Sequence, residues 1–103
     1  VELKMESVFV YGNLMDDNVQ RLAFGRTVEF AYDVLFDFIK QDVIVGRNRT
    51  FTIIPKRGFS VNGAILYLNP EEISFIEGKQ GQNFKKIKVK LNSGKEAWTY
   101  ACP

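Results

Sequence analysis

The sequence predicts a single α+β domain in which strands dominate, and three observations lead there. Turn signals recur at short, regular intervals along all 103 residues, as in compact strand-rich units. Most apolar stretches between them follow a two-residue period or are short apolar runs, and only two stretches carry helical spacing or a helix-start signature. Hydrophobic residues make up 46% and aromatics 14%, with nine Phe spread over the length, enough for one core without metal or disulfide staples. No repeat, low-complexity tract or linker divides the chain, so the expected domain covers 1–103. Val1-Glu2-Leu3-Lys4 ahead of Met5 read as either a frayed lead-in or an appended remnant.

Val8-Phe9-Val10 reads as a first strand that Tyr11-Gly12-Asn13-Leu14 breaks sharply into a glycine loop. Gly12 can adopt a positive φ and lets a ligand approach the backbone, so the amides after it can form a nest for an anion or carbonyl. An ordinary strand-to-loop turn is the alternative reading. Met15, Val19, Leu22 and Ala23 then recur at helical spacing, with Asp16 and Asp17 suited to the first turn and Gly25 to the stop. From Thr27 to Ile39 the period is two: Val28, Phe30, Tyr32, Val34, Phe36 and Phe38 share the face expected to be buried, and Glu29, Asp33 and Asp37 point the other way.

Shorter strands are expected at Val43–Val45 and Phe51–Ile54, the second ended by Pro55, after which Lys56-Arg57-Gly58 turns the chain. Val61 to Leu68 is a nearly continuous apolar run, as in a central strand. In Asn69-Pro70-Glu71-Glu72, Asn69 can cap a helix, Pro70 suits its first position and Glu72 can reach back to the cap; Ile73 and Ile76 face inward and Gly78 ends the helix. The last third is a hairpin: Ile87, Val89 and Leu91 alternate with Lys86, Lys88 and Lys90, Asn92-Ser93-Gly94 turns, and Ala97-Trp98-Thr99-Tyr100 returns.

The composition excludes several chemistries. There is no histidine, which removes Ser-His and Cys-His nucleophile pairs and the commonest metal ligand. The one cysteine, Cys102, gives neither a disulfide framework nor zinc-ligand spacing, so no metal or cofactor is expected and a reducing, cytoplasmic setting fits best. Acid–base work falls to carboxylate, Lys, Tyr or Cys. No apolar run approaches the roughly 18 residues of a membrane helix, and the first residues lack a signal-peptide pattern, so a soluble protein without a membrane partner is expected and the sequon Asn48-Arg49-Thr50 reads as coincidence. The formal charge of +2 does not by itself point to nucleic acid. The lysine face reads as a solvated sheet face, with a phosphate-binding stripe as the alternative; no aromatic is expected to interleave with those lysines.

Val8-Phe9-Val10-Tyr11-Gly12-Asn13-Leu14, Val61-Asn62-Gly63-Ala64-Ile65-Leu66-Tyr67, the capped helix ending Ile76-Glu77-Gly78-Lys79-Gln80-Gly81, and Trp98-Thr99-Tyr100 occur in one order. In this the chain resembles the gamma-glutamyl cyclotransferase-like family over essentially its whole length. That family's members begin with a strand ending Tyr-Gly-Ser or Tyr-Gly-Thr and Leu, continue with a valine-x-Gly central strand, and carry a helix ending Leu-Asp-x-x-Glu-Gly before a final hairpin. The resemblance implies a small antiparallel-rich β-barrel, here of about six strands with two short helices, and a cavity beside the glycine loop. It also implies a reaction in which the α-amine of a γ-glutamyl group attacks its own γ-carbonyl, releasing an amine or peptide and 5-oxoproline.

On this resemblance Tyr11, Gly12, Asn13 and Leu14 match the substrate loop, with Asn13 where Ser or Thr is usual, and Tyr100 joins them as a binding residue. Gln80 takes the place of the proton-shuttling glutamate, and a neutral amide cannot cycle a proton near neutral pH. Glu77, at the family's Asp, is the fallback carboxylate. Asn83-Phe84-Lys85 stands where the family often has Tyr followed by Arg. Three functions follow: a cyclotransferase acting on a γ-glutamyl amine or amide, a non-catalytic relative binding a γ-glutamyl-like or amino-acid ligand, or a basic-faced nucleic-acid or interaction module resting on the lysine stripe alone. The expected assembly is a monomer or homodimer.

Overall fold

The computed structural model describes residues 4–80 and 84–101, with the backbone alone at Asn13, Val45, Asn48 and Gln80. Five strands, β1 (Glu6–Val10), β2 (Phe30–Val45), β3 (Asn48–Leu68), β4 (Lys85–Lys90) and β5 (Glu96–Ala101), alternate with two helices, α1 (Asp17–Phe24) after β1 and α2 (Pro70–Gln80) after β3. The sheet order is β2-β3-β1-β5-β4, antiparallel throughout except where β1 runs parallel to β5. This is the α+β, antiparallel-rich class that the sequence predicts, with five strands where about six are expected.

β1 is the middle strand, and its unbroken apolar run follows from burial on both faces. Val8 and Val10 pack with Ala64, Leu66, Leu68, Ile73, Ile76 and Tyr100 on the helix side. Phe9 and Tyr11 pack on the other side with Leu35, Ile53, Val61, Ile65, Val89, Leu91 and Ala97. All five strands and neither helix supply that second cluster, so it fills the interior of a curled sheet. The curl brings the β4–β5 turn back to β2: the Asn92 amide donates to the Val34 carbonyl at 2.9 Å, and the Ser93 amide and hydroxyl donate to the Asp33 carboxylate. The result is a half-barrel.

Both helices are capped as their sequences predict. The Asp16 carboxylate accepts from the Asn18 and Val19 amides, and Gly25 closes α1 in the left-handed region at φ 73°. Asn69 and Glu72 form the reciprocal capping box, each side chain accepting from the other's amide at 2.9 Å. α2 continues past Gly78 to Gln80, since an interior glycine costs only ~1 kcal/mol relative to alanine and does not by itself end a helix.

The central hairpin departs most from expectation. The predicted strands Val43–Val45 and Phe51–Ile54 are not separate; they are the distal parts of β2 and β3, which pair as far as Val45 with Asn48. Lys56-Arg57-Gly58 does not reverse the chain. The register jumps from Phe36 opposite Ser60 to Phe38 opposite Pro55, so residues 56–59 bulge across from Asp37. Asp37 at φ 66° and Gly58 at φ 87° form this irregularity, and the Gly58 amide donates to Asp37 Oδ1 at 3.1 Å. The expected face is buried only in part: Val28 is buried and Phe30 and Phe38 pack against the core, but Tyr32 is 75% and Phe36 54% exposed, while Leu35 from the opposite face is 2% exposed. β2 is an edge strand, and Tyr32 and Phe36 on its outer face are left uncovered.

Candidate functional site

The site is built where β1 ends. Val10 carries the chain out of the sheet centre, and a 3-10 turn at Asn13–Met15 follows, closed by the Met15 amide donating to the Gly12 carbonyl at 3.2 Å. Gln20, fully buried on α1, braces this turn from behind: its Nε2 donates to the Leu14 carbonyl at 2.8 Å and its Oε1 accepts from the Val28 amide at 3.1 Å. Gly12 does not adopt the positive φ that its identity allows. A Cβ built on it would meet no atom within 4 Å, so neither backbone conformation nor internal packing requires a glycine there.

Beside this turn lies a cavity of about 510 Å³, within the range of small-molecule sites. Phe9, Val10, Tyr11, Gly12 and Leu14 form one wall, and Ile76 and Lys79 from the last turns of α2 form another. Thr99 and Tyr100 of β5, Phe84, and Arg49, Thr50 and Phe51 of β3 complete it. The distal half of the β2–β3 hairpin thus reaches the glycine turn from beyond the bulge. Lys40 fastens it there: its ammonium donates to the Tyr11 carbonyl at 3.3 Å and lies 4.5 Å from the Phe51 ring centroid.

Both predicted tyrosines line the cavity, but their hydroxyl protons are directed into the protein. The Tyr11 hydroxyl donates to the Tyr100 carbonyl, and the Tyr100 hydroxyl donates to Glu77 Oε2 at 2.7 Å. Toward a ligand they therefore offer ring surface and acceptor lone pairs. Burial first, then the hydrogen bond and negative charge of Glu77 and the charge of Glu6, push the Tyr100 hydroxyl well above its ordinary value, so it stays protonated. Glu77 itself is not on the cavity wall; it stands behind Tyr100, with Lys86 Nζ 4.0 Å from the same carboxylate oxygen. Gln80 ends α2, immediately after the wall residue Lys79, but its side chain and that of Asn13 lie outside the described residues, as do Cys102 and Asn83.

The structure adds residues that sequence reasoning missed. Arg49 and Lys79 are the charged side chains among the described wall residues, and both are cations. Lys79 lies inside a recognised motif and could have been found from its place one residue before Gln80; Arg49 could not, because the path of the hairpin places it. On the outer sheet face Trp98 does interleave with the lysines, from the neighbouring strand: Lys86 and Lys88 place their ammonium groups 4.7 and 5.3 Å from its ring. Among the described residues no cluster of metal-ligating side chains occurs, and no helix is long and apolar enough to cross a membrane.

Comparison with known proteins bears on the fold. Residues 8–103 match the family described as gamma-glutamyl cyclotransferase, AIG2-like. AIG2-like protein D of Arabidopsis thaliana is 30% identical over 89 residues, a match that takes in 84% of this chain and 57% of that protein. The chain thus spans little more than half the length of this relative. Among solved structures, a second Arabidopsis thaliana protein, determined in solution, superposes with a TM-score of 0.80 at 25% identity over 99% of this chain and 71% of its own. A structure described as gamma-glutamyl cyclotransferase gives a TM-score of 0.79 at 20% identity, covering 97% of this chain and 68% of that one; at that identity the likeness is one of fold.

Proposed function

The chain belongs to the gamma-glutamyl cyclotransferase, AIG2-like family, and from that premise we propose that its cavity binds a γ-glutamyl amine or amide, with Gln80 standing in the place of the family's proton-shuttling glutamate. The observation that carries this reading is Gly12. Its missing side chain is required by neither φ nor packing, yet it borders the cavity, which is what close approach of a ligand to the backbone would ask for. The glutamyl group would lie along the Tyr11–Leu14 turn, facing the last turn of α2.

Cyclisation needs the α-ammonium to lose a proton, its nitrogen to attack the γ-carbonyl carbon, and the leaving nitrogen to gain a proton as its bond to that carbon breaks. A carboxylate at position 80 would relay that proton; the Gln80 amide does not. The protein as it stands is therefore a ligand-binding relative of the enzymes, acting in a reducing, cytoplasmic setting consistent with its lone cysteine. One observation favours an active reading instead: Glu77 accepts the proton of Tyr100, a wall residue, which would give a relay through the tyrosine.

Release of 5-oxoproline by the native protein and by Gln80→Glu, over a panel of γ-glutamyl amines and dipeptides, separates these readings. The expected result is no turnover by the native protein and measurable turnover by Gln80→Glu. Turnover by the native protein would overturn the non-catalytic reading and move the relay to Glu77. Silence in both, together with no binding, would mean that the chain keeps the family's fold without its ligand.

A further inference from the structure

We propose that the open edge of β2 beyond the bulge pairs with the same edge of a second copy of this chain, the two strands lying antiparallel about a two-fold axis at Gln41. An edge strand turns a row of amides and carbonyls away from its sheet, and natural sheets blunt such rows with lysines, bulges or a covering segment. The edges of this sheet are β2 and β4. β4 is six residues long and is guarded by Lys85, Lys86, Lys88 and Lys90. The first part of β2 is covered by the β4–β5 turn, whose Asn92 and Ser93 amides reach the Val34 carbonyl and the Asp33 carboxylate. Beyond the bulge, among the described residues, no backbone hydrogen bond ties residues 38–45 to any element but β3. This stretch, Phe38-Ile39-Lys40-Gln41-Asp42-Val43-Ile44, is largely apolar with one cation and one anion, and Ile44 is 70% exposed.

The charges on this stretch are self-complementary, which selects a second copy as the occupant. A two-fold axis makes every cross-strand pair occur twice. With the axis at Gln41, Lys40 of one copy meets Asp42 of the other, Ile39 meets Val43, and Phe38 meets Ile44. Opposite charges and apolar side chains facing each other across antiparallel strands stabilise the pairing. An axis at Ile39 would instead set Lys40 against Phe38, and an axis at Val43 would set Asp42 against Ile44. Lys40 and Asp42 are exposed, and among the described residues neither has an ion-pair partner within the chain. The contacts of Lys40, the Tyr11 carbonyl and the Phe51 ring, leave its charge to be neutralised. The backbone fits the same axis. Pro55 has no amide to exchange with Phe38, which marks theirs as a non-hydrogen-bonded pair and turns the backbone groups of Phe38, and by alternation those of Lys40, Asp42 and Ile44, to the open edge. These are the residues that the axis brings opposite one another. The paired edge belongs to the hairpin that carries Arg49, Thr50 and Phe51 to the cavity, so assembly would hold that wall in place.

Sedimentation velocity of the native protein should give a mass that rises toward twice that of the chain as concentration approaches ~100 μM, as expected of a small interface. Asp42→Lys sets a lysine against Lys40 in both symmetry-related pairs and should weaken the dimer about tenfold or more. Ile44→Lys, which places a charge on the open apolar edge, should weaken it as well. Cross-linking in a Cys102→Ser background reads the register. Gln41→Cys lies opposite itself at the short Cα separation of a non-hydrogen-bonded pair and should form a disulfide dimer under mild oxidation, whereas Val43→Cys lies opposite Ile39 and should not. Far-UV circular dichroism checks that each variant is folded. A native mass of one chain at every concentration, a dimer that folded Asp42→Lys and Ile44→Lys leave unchanged, or equal cross-linking of the two cysteine variants would overturn the inference.

Discussion

A Cβ at Gly63 would lie 2.3 Å from the Val10 carbonyl oxygen and 2.6 Å from the Phe9 ring. Backbone and a fully buried ring cannot both give way at that distance, so the glycine of the Val61-Asn62-Gly63 run exists to let β3 lie against β1. Gly12, on the cavity wall with Phe9 and Val10, meets nothing within 4 Å. The same substitution should therefore have opposite consequences at the two positions. Gly63→Ala is expected to destabilise by about 1–3 kcal/mol through overpacking, read from urea unfolding. Gly12→Ala should leave the unfolding midpoint at or slightly above the native value while weakening γ-glutamyl ligand binding; a native-like affinity in a folded Gly12→Ala would remove the main support for the site.

At the scale of elements, α2 delivers Ile76 and Lys79 to the cavity and ends at Gln80, so what anchors its first turn also sets the site. Glu72 does this with unusual economy. It accepts from the Asn69 amide to complete the capping box, and from Arg26 Nε and Nη2 at 2.8 Å each. The carboxylate is buried and the arginine is 43% exposed, so loss of Glu72 leaves a charge that water can reach rather than one stranded in the core. Glu72→Ala loses both the cap and the ion pair and should cost about 1–3 kcal/mol, and Arg26→Ala, which keeps the cap but leaves the buried carboxylate without its cation, should cost somewhat less, about 1–2 kcal/mol. Thermal unfolding of the two variants and of the double variant measures this; equal costs for both single variants would mean that the ion pair, not the cap, dominates. The sequence showed the cap, since Asn69-Pro70-Glu71-Glu72 is local, but not the Arg26 partner, which lies 46 residues away.

For the molecule as a whole, the half-barrel depends on the β4–β5 turn meeting β2 at Asp33. Burial there opposes ionisation, but hydrogen bonds from the Ser93 hydroxyl, the Val34 amide and the Ser93 amide, with the charge of Lys95, outweigh it and hold the Asp33 carboxyl below its usual 3.8. A lowered folded-state value means that the unfolded chain binds the proton more readily. The contribution is therefore complete above the unfolded value, near 4, and is lost as pH falls through the lower folded value. Asp33→Asn should remove the part of the acid-induced loss of stability that this carboxylate causes, visible as a shallower fall in urea-unfolding free energy below pH about 4; an unchanged slope would show that the closure carries no such linkage. The features legible from sequence alone are those set by neighbours within a turn or a strand: both helix caps, the apolar middle strand, the terminal hairpin and the order of the family motifs. Tertiary structure decided what depends on distant partners. It merged four predicted strand segments into one long hairpin through the bulge at Asp37 and Gly58, turned Leu35 rather than Tyr32 and Phe36 inward, and carried Arg49 to the glycine turn. A two-residue period states that a strand has two faces, but only the sheet's curl and the reach of the helices select which face is covered.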